Sequence, residues 1–346
     1  MVEKRNPIQL LSPSRLDLVV KFLYARNFLT KKGSLEIVQL YRDHIERRTG
    51  GKEDAKKSLD DYENSFQETI INIKENGFNS DQPIRINGDL LPITGAHRIA
   101  ACLATKSPIW TQTVNSTGLS WDYTWFVQNA FSQTQCGKIL KGYIELKPEN
   151  TSIFILWGAS KDRWLEIERL VEDDFQLIGS LDLKLDQNTL KQFIYEVYGY
   201  ETGGNPTEVV IQKSLILENY PTEIKVLFVE FENLNMITRQ NRPSWGVTVD
   251  FKTSIRSRIA KELSLENDFL ALHTADDSDQ TRMIASIVNK YLGRLHNLEN
   301  RDNKPKVVSR FMYLKYLAVM IVVKKLIARY IPARIVQRVK KLIKNG

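Results

Sequence analysis

The run Thr94, Gly95, Ala96, His97, Arg98 sets a glycine between a β-prone stretch and a helical one. A glycine at that point lets the backbone turn tightly and leaves the first helical amides without intrahelical partners; together with the helix dipole they make an anion site. His97 and Arg98, in the first turn, would add charge-assisted hydrogen bonds to a phosphate. The same residues also fit an ordinary helix start, in which Thr94 caps the helix and His97 and Arg98 lie on its solvated face. Phosphoryl transfer at such a turn needs a carboxylate to take the proton of an acceptor hydroxyl. The nearest candidates are Asp43 and Glu46, in the segment from Tyr41 to Glu46, and Asp122, in the aromatic run from Trp121 to Phe126. Charged residues on helices are commonly their solvated face, and Asp122 also reads as a helix N-cap.

A second group lies further along. Lys252 and Arg256 fall on one helical face, and a strand-like run ends at His273, followed by Asp276 and Asp277. In α/β sheets ligands gather at the carboxyl ends of strands. Basic residues facing an aspartate pair would suit a phosphorylated sugar or a nucleotide-sugar with a metal. The alternative is a helix with surface cations and an Asp-rich cap for the helix that follows.

The elements that must hold these residues are readable from periodicity. Residues 8–48 read as mainly helical, and residues 59–75 form a strong amphipathic helix with Tyr62, Phe66, Ile70 and Ile73 on one face and Gly77 as its stop. Two short strands at 83–86 and 90–93 are expected around an Asn87–Asp89 hairpin turn, with a helix at 98–104. From Thr151 a strand–helix rhythm predicts strands at 153–157, 224–231 and 269–273 and helices at 161–174, 188–199, 250–263 and 279–295, with 233–245 as a loop. The fold class expected is α/β: an α+β domain over 1–148, a second α/β domain over 149–300, and a basic amphipathic tail over 303–346.

The formal charge of +8 is unevenly distributed. Twelve Lys and Arg and no acid follow Asp302, so residues 1–302 are mildly acidic and give no electrostatic case for nucleic acid. In residues 307–343 bulky aliphatic residues alternate with cations, which suits a helix lying on an anionic membrane surface. A nucleic-acid tail and a docked or oligomerising helix are the competing readings. No apolar run approaches the roughly 18–20 residues needed to span a bilayer, and the N-terminal residues carry charge without an apolar signal core. Cys102 and Cys136 have no partners at metal-ligand spacing, so a reducing, cytoplasmic setting on the inner membrane face is expected.

The helix at 59–75, Gly77 and Phe78, the Pro83–Ile86 strand, the hairpin, the Thr94–Arg98 turn and Ala100–Ala101 resemble the ParB and sulfiredoxin-like superfamily over residues 58–104. The resemblance implies that Gly95, Ala96, His97 and Arg98, with Thr94, hold nucleotide phosphates, with ATP and Mg2+ as cofactors. Ala96 stands where sulfiredoxin carries its reactive cysteine, which excludes that chemistry. The partition proteins' glycine-glutamate-arginine-arginine motif is absent, and Thr94 replaces the aspartate of the free-serine kinases. The later region is similar to proteins of envelope-polysaccharide assembly. Together these imply a nucleotide-dependent kinase acting on a sugar or lipid-linked glycan; a nucleotide-sensing DNA-binding module and a nonenzymatic scaffold are the alternatives.

Overall fold

The computed structural model describes residues 2–52, 56–199, 208–232, 235–239 and 242–302. The basic stretch 307–343 lies outside them. The fold is a mixed α/β one. The chain opens with β1 (Val2–Arg5), α1 (Leu16–Leu29), α2 (Leu35–Thr49), α3 (Leu59–Asn76), β2 (Ile84–Ile86), α4 (Ala96–Thr105), β3 (Ile109–Thr113), α5 (Tyr123–Gln128) and α6 (Gln133–Leu146). It continues with β4 (Thr151–Leu156), α7 (Trp164–Asp174), β5 (Gln176–Lys184), α8 (Gln187–Gly199), α9 (Glu208–Leu217), β6 (Glu223–Glu230), β7 (Met236–Arg239), β8 (Arg242–Trp245), α10 (Gly246–Glu262), β9 (Leu272–Thr274) and α11 (Ser278–Asp302).

Local chemistry explains most helix starts. Ser58 and Asp61 close a capping box on α3, and Ser132 and Gln135 do the same for α6. The buried face of α3 is Tyr62, Phe66, Ile70 and Ile73, as its periodicity predicts. The expected helical stretch 8–48 is α1 and α2, broken at Thr30–Ser34. In α1, every residue from Leu16 to Ala25 is buried, so this helix is the central post of the N-terminal half, packed against α2, α3, α4 and α6.

The first sheet runs β1-β3-β2, with β1 antiparallel and β2 parallel to β3. The second expected strand, 90–93, is not one. Asn87 Oδ1 accepts from the amides of Asp89 and Leu91, and only an isolated bridge joins Ile86 to Pro92. The partner of β2 is β3, reached through α4, so the Gly95 turn lies inside a β–α–β unit. The second sheet runs β5-β6-β4-β9 and every pairing in it is antiparallel. The rule that places ligands at strand carboxyl ends belongs to parallel sheets and does not carry over to His273. Residues 233–245, expected as a loop, include the β7–β8 hairpin.

One face of the second sheet packs Phe154, Leu156, Leu227 and Val229 against Ile167 and Val171 of α7 and Phe251, Ile255 and Ile259 of α10. Residues 1–293 form one compact unit, so the two halves share a body. Tyr143 and Lys147, at the end of α6, both donate to the Glu230 carboxylate, and Asn289 of α11 donates to the Gly137 carbonyl at 3.0 Å. Among the described residues no helix is long and apolar enough to cross a membrane.

Gly158 marks the tightest backbone approach, because a Cβ there would stand 1.9 Å from the Pro221 carbonyl oxygen. Gly158→Ala is expected to cost about 1–3 kcal/mol as an overpacked site, read as a lower urea midpoint. A midpoint equal to wild type would show that the 158–163 turn yields freely.

Candidate phosphate site

Gly95 is the N-cap of α4 at φ +79°, a left-handed conformation that suits glycine, and no side chain caps the helix. Thr94 is exposed and does not cap. The amides of Ala96, His97 and Arg98 precede the first intrahelical bond, from Ile99 N to Gly95 O at 3.0 Å. The turn expected from sequence is therefore formed, with its donors unused by any side-chain cap.

Its two charged-type side chains diverge. His97 turns inward: Nε2 lies 2.9 Å from Tyr41 Oη, and the ring meets Phe66 edge-on at 4.5 Å. Arg98 turns back over Gly95, bonding the Gln82 carbonyl through Nη1 and lying over the Phe78 ring at 5.6 Å.

Beneath the turn lies a buried polar cluster built on α1. Asp17, at the start of α1, accepts from Arg15 Nε at 2.8 Å and from Lys21 Nζ at 2.7 Å, and all three are buried. Arg15 also donates to the Pro92 carbonyl, which ties the segment leading into the turn to α1. Burial alone would raise the Asp17 carboxyl, but Lys21 and Arg15 overcome it and hold it well below the carboxylate range. Lys21 moves the other way from a simple ion pair: burial outweighs the pull of Asp17 and lowers its pKa to about 8. One carboxylate shared by two cations accounts for both directions.

His44 stands on the inward face of α2 at 0% exposure, stacked on Phe126, and neither ring nitrogen has a hydrogen-bond partner. Burial, then Lys21, lowers its pKa far below the ordinary value. His97 is lowered too, by burial and then by Lys21, Lys56 and Arg48. Lys21, Lys56 and Arg48, from three parts of the chain, thus bear on the inward His97 ring. The sequence carried a signal for His44. It lies one turn beyond Tyr41 and beside Ile45, both inward, so α2 must bury it as well. Lys21 gave none, sitting in an apolar run four residues after Asp17.

The three carboxylates expected to act here do not enter the cluster. Asp43 is held by Gln39 at 2.7 Å and Gln135 at 2.6 Å, Glu46 is exposed, and Asp122 caps α5 by accepting from Trp125 N at 2.9 Å. The carboxylate that does is Asp17.

Of the second group, Lys252 pairs with Asp276, whose other oxygen accepts from Thr274 at 2.8 Å. Asp277 caps α11 through Gln280 N at 2.7 Å. Arg256 donates to the Leu272 carbonyl at 2.8 Å, and His273 is buried beside Tyr198. Cys102 and Cys136 are buried with thiols pushed up to about 12, which makes them poor nucleophiles.

No family model matches the chain, and no curated protein matches it. The site must be judged on its own geometry.

Proposed function

We propose that the chain is a nucleotide-dependent phosphotransferase whose nucleotide phosphates rest on the amino end of α4. The observation that carries this reading is the uncapped, Gly95-led helix start, whose Ala96, His97 and Arg98 amides have no side-chain cap and lie beside the Arg98 guanidinium. Transfer through a loose transition state depends mainly on positioning and charge stabilisation, which amides and cations supply. Neutral His97, hydrogen-bonded to Tyr41, is the proton acceptor nearest the turn; Asp43, Glu46 and Asp122 are engaged elsewhere or face solvent. Among the described residues no three His, Cys, Asp or Glu side chains gather as a metal site, so Mg2+ would enter on the nucleotide phosphates.

The acceptor proposed is a sugar or lipid-linked glycan in envelope-polysaccharide assembly, presented at an anionic membrane surface to which the basic sequence 307–343 would bind. On this proposal the protein works at the inner membrane face.

Incubation with labelled ATP, Mg2+ and a panel of glycan acceptors tests transfer, and thermal melts with ATP, CTP and ADP test binding. Nucleotide is expected to raise the melting temperature. Arg98→Ala and Lys56→Ala are each expected to weaken nucleotide affinity about 10- to 100-fold, the range for losing a hydrogen bond to a charged group, while the unliganded melt stays near wild type. A melt indifferent to every nucleotide would sink the proposal. Salt-dependent DNA retention by a chain truncated after Asp302 would favour the nucleotide-sensing DNA-binding alternative instead.

A further inference from the structure

The corner between β9, α9 and α10 holds an arginine arranged like a phosphate fork. Arg256, partly exposed on α10, is fixed through Nε to the Leu272 carbonyl at 2.8 Å. That bond spends one donor and orients the guanidinium, and among the described residues neither Nη group has a hydrogen-bond partner. Two parallel Nη donors on an oriented plane match two oxygens of a phosphate.

The surroundings are cationic and aromatic. Lys252 reaches the same corner at 4% exposure, bonded to Asp276. Lys213 of α9 sits 4.0 Å over the Tyr198 ring, whose edge meets His273 at 4.9 Å. Burial, followed by Lys252, Arg256 and Lys213, keeps His273 neutral. Behind Tyr198, Trp157 is 1% exposed and its indole Nε1 has no acceptor.

We infer that this corner is a second oxyanion site, separate from the α4 turn, in which the Nη edge of Arg256 takes a phosphate group, as inorganic phosphate or as the monoester of a phosphorylated ligand. Lys213 adds positive potential, the Lys252 charge being shared with Asp276, and the Leu272 carbonyl sets the direction of the fork. Neither the nucleotide reading nor the transferase reading is needed for it.

The side-chain Nε–H resonance of Arg256 reports on this corner alone. It is assigned by its disappearance in Arg256→Gln and followed as inorganic phosphate, then a hexose monophosphate, is added to the full chain at constant ionic strength. A saturable shift with phosphate, absent with chloride, is expected. A larger response to the monoester identifies a phosphorylated ligand as the source, and an equal response identifies free phosphate. Arg256→Gln is expected to lose at least ten-fold in affinity for this site by phosphorus NMR. Arg258→Gln, two residues on, toward the other side of α10 and engaged with Glu166 and Glu262, is expected to keep it. If Arg256→Gln does not fold, Arg256→Lys serves, since it keeps the charge, loses the fork and should bind several-fold more weakly. An unmoved Arg256 resonance, or wild-type affinity in either Arg256 variant, overturns the inference.

Discussion

Replacing Asp17 with asparagine is expected to lower the unfolding free energy at pH 7 by about 3–5 kcal/mol, the range for removing one partner of a buried ion pair. Arg15 and Lys21 are 2% and 0% exposed, and both would lose the carboxylate that compensates them. Asparagine keeps the volume and one acceptor, so the loss reports charge rather than a cavity. Urea denaturation would show it as a lower midpoint with an unchanged slope. A second signature lies in pH. Because the folded Asp17 carboxyl is depressed, its contribution is complete above the ordinary carboxylate pKa of about 3.9 and is lost as pH falls below it. Lys21 acts with the same sign in a higher pH window. With a folded pKa of about 8 and an ordinary one near 10.5, its unfolded form binds more proton between them, so stability should rise with pH across that interval. A variant within about 1 kcal/mol of wild type would mean that the triad is solvated in a way its burial denies.

Acidification below neutrality is expected to destabilise the protein steeply. His44 and His273 are buried and held neutral, chiefly by loss of solvation, and His97 is shifted in the same direction while keeping an exposed edge. Each unfolded histidine takes up a proton below about pH 6.5 that its folded counterpart refuses, so stability falls as pH drops. A full proton of difference is worth about 1.4 kcal/mol per pH unit; the two buried rings therefore give about 3 kcal/mol per unit between roughly pH 6 and 5, with a smaller share from His97. Against a typical stability of about 5–15 kcal/mol, that slope brings unfolding within reach near pH 4–5. Denaturation series at pH 7, 6 and 5 measure it directly. A slope under about 1 kcal/mol per unit would contradict neutral histidines in the fold, and replacing His44 with phenylalanine in a chain that still folds should remove one proton's worth of it.

The elements nearest the Gly95 turn were legible because their signals are local. Gly95 before a helix, the capping box at Ser58 and Asp61, and the 3.6-residue stripe of α3 each act over a few residues, and each is found in place. Asp122 and Asp277 show the limit of such reading: both are side chains that suit a site and a cap equally well, and in the structure both cap. Burial and partner geometry separate the two roles, and neither is written in residue type.

Strand pairing is non-local, and there the reading failed. β1 and β3 are short, and nothing within either segment says that β3 sits between β1 and β2 or that the second sheet is antiparallel. The antiparallel order removes the rule that had drawn attention to the carboxyl end of β9, yet the fold still gathers Arg256, Lys252 and His273 there by packing α10 across that edge.

By itself, then, the sequence determined the Gly95 turn, the amphipathic face that buries α3, and the confinement of excess positive charge to the residues after Asp302. Only the tertiary structure decided which side chains share the turn. It buried a charged pair inside α1, swung His97 inward and Arg98 outward, and brought His44 beneath them. The physical reason is that periodicity fixes which face of a helix turns inward, whereas the neighbours of that face, and hence the potential at any one atom, depend on contacts between segments tens of residues apart.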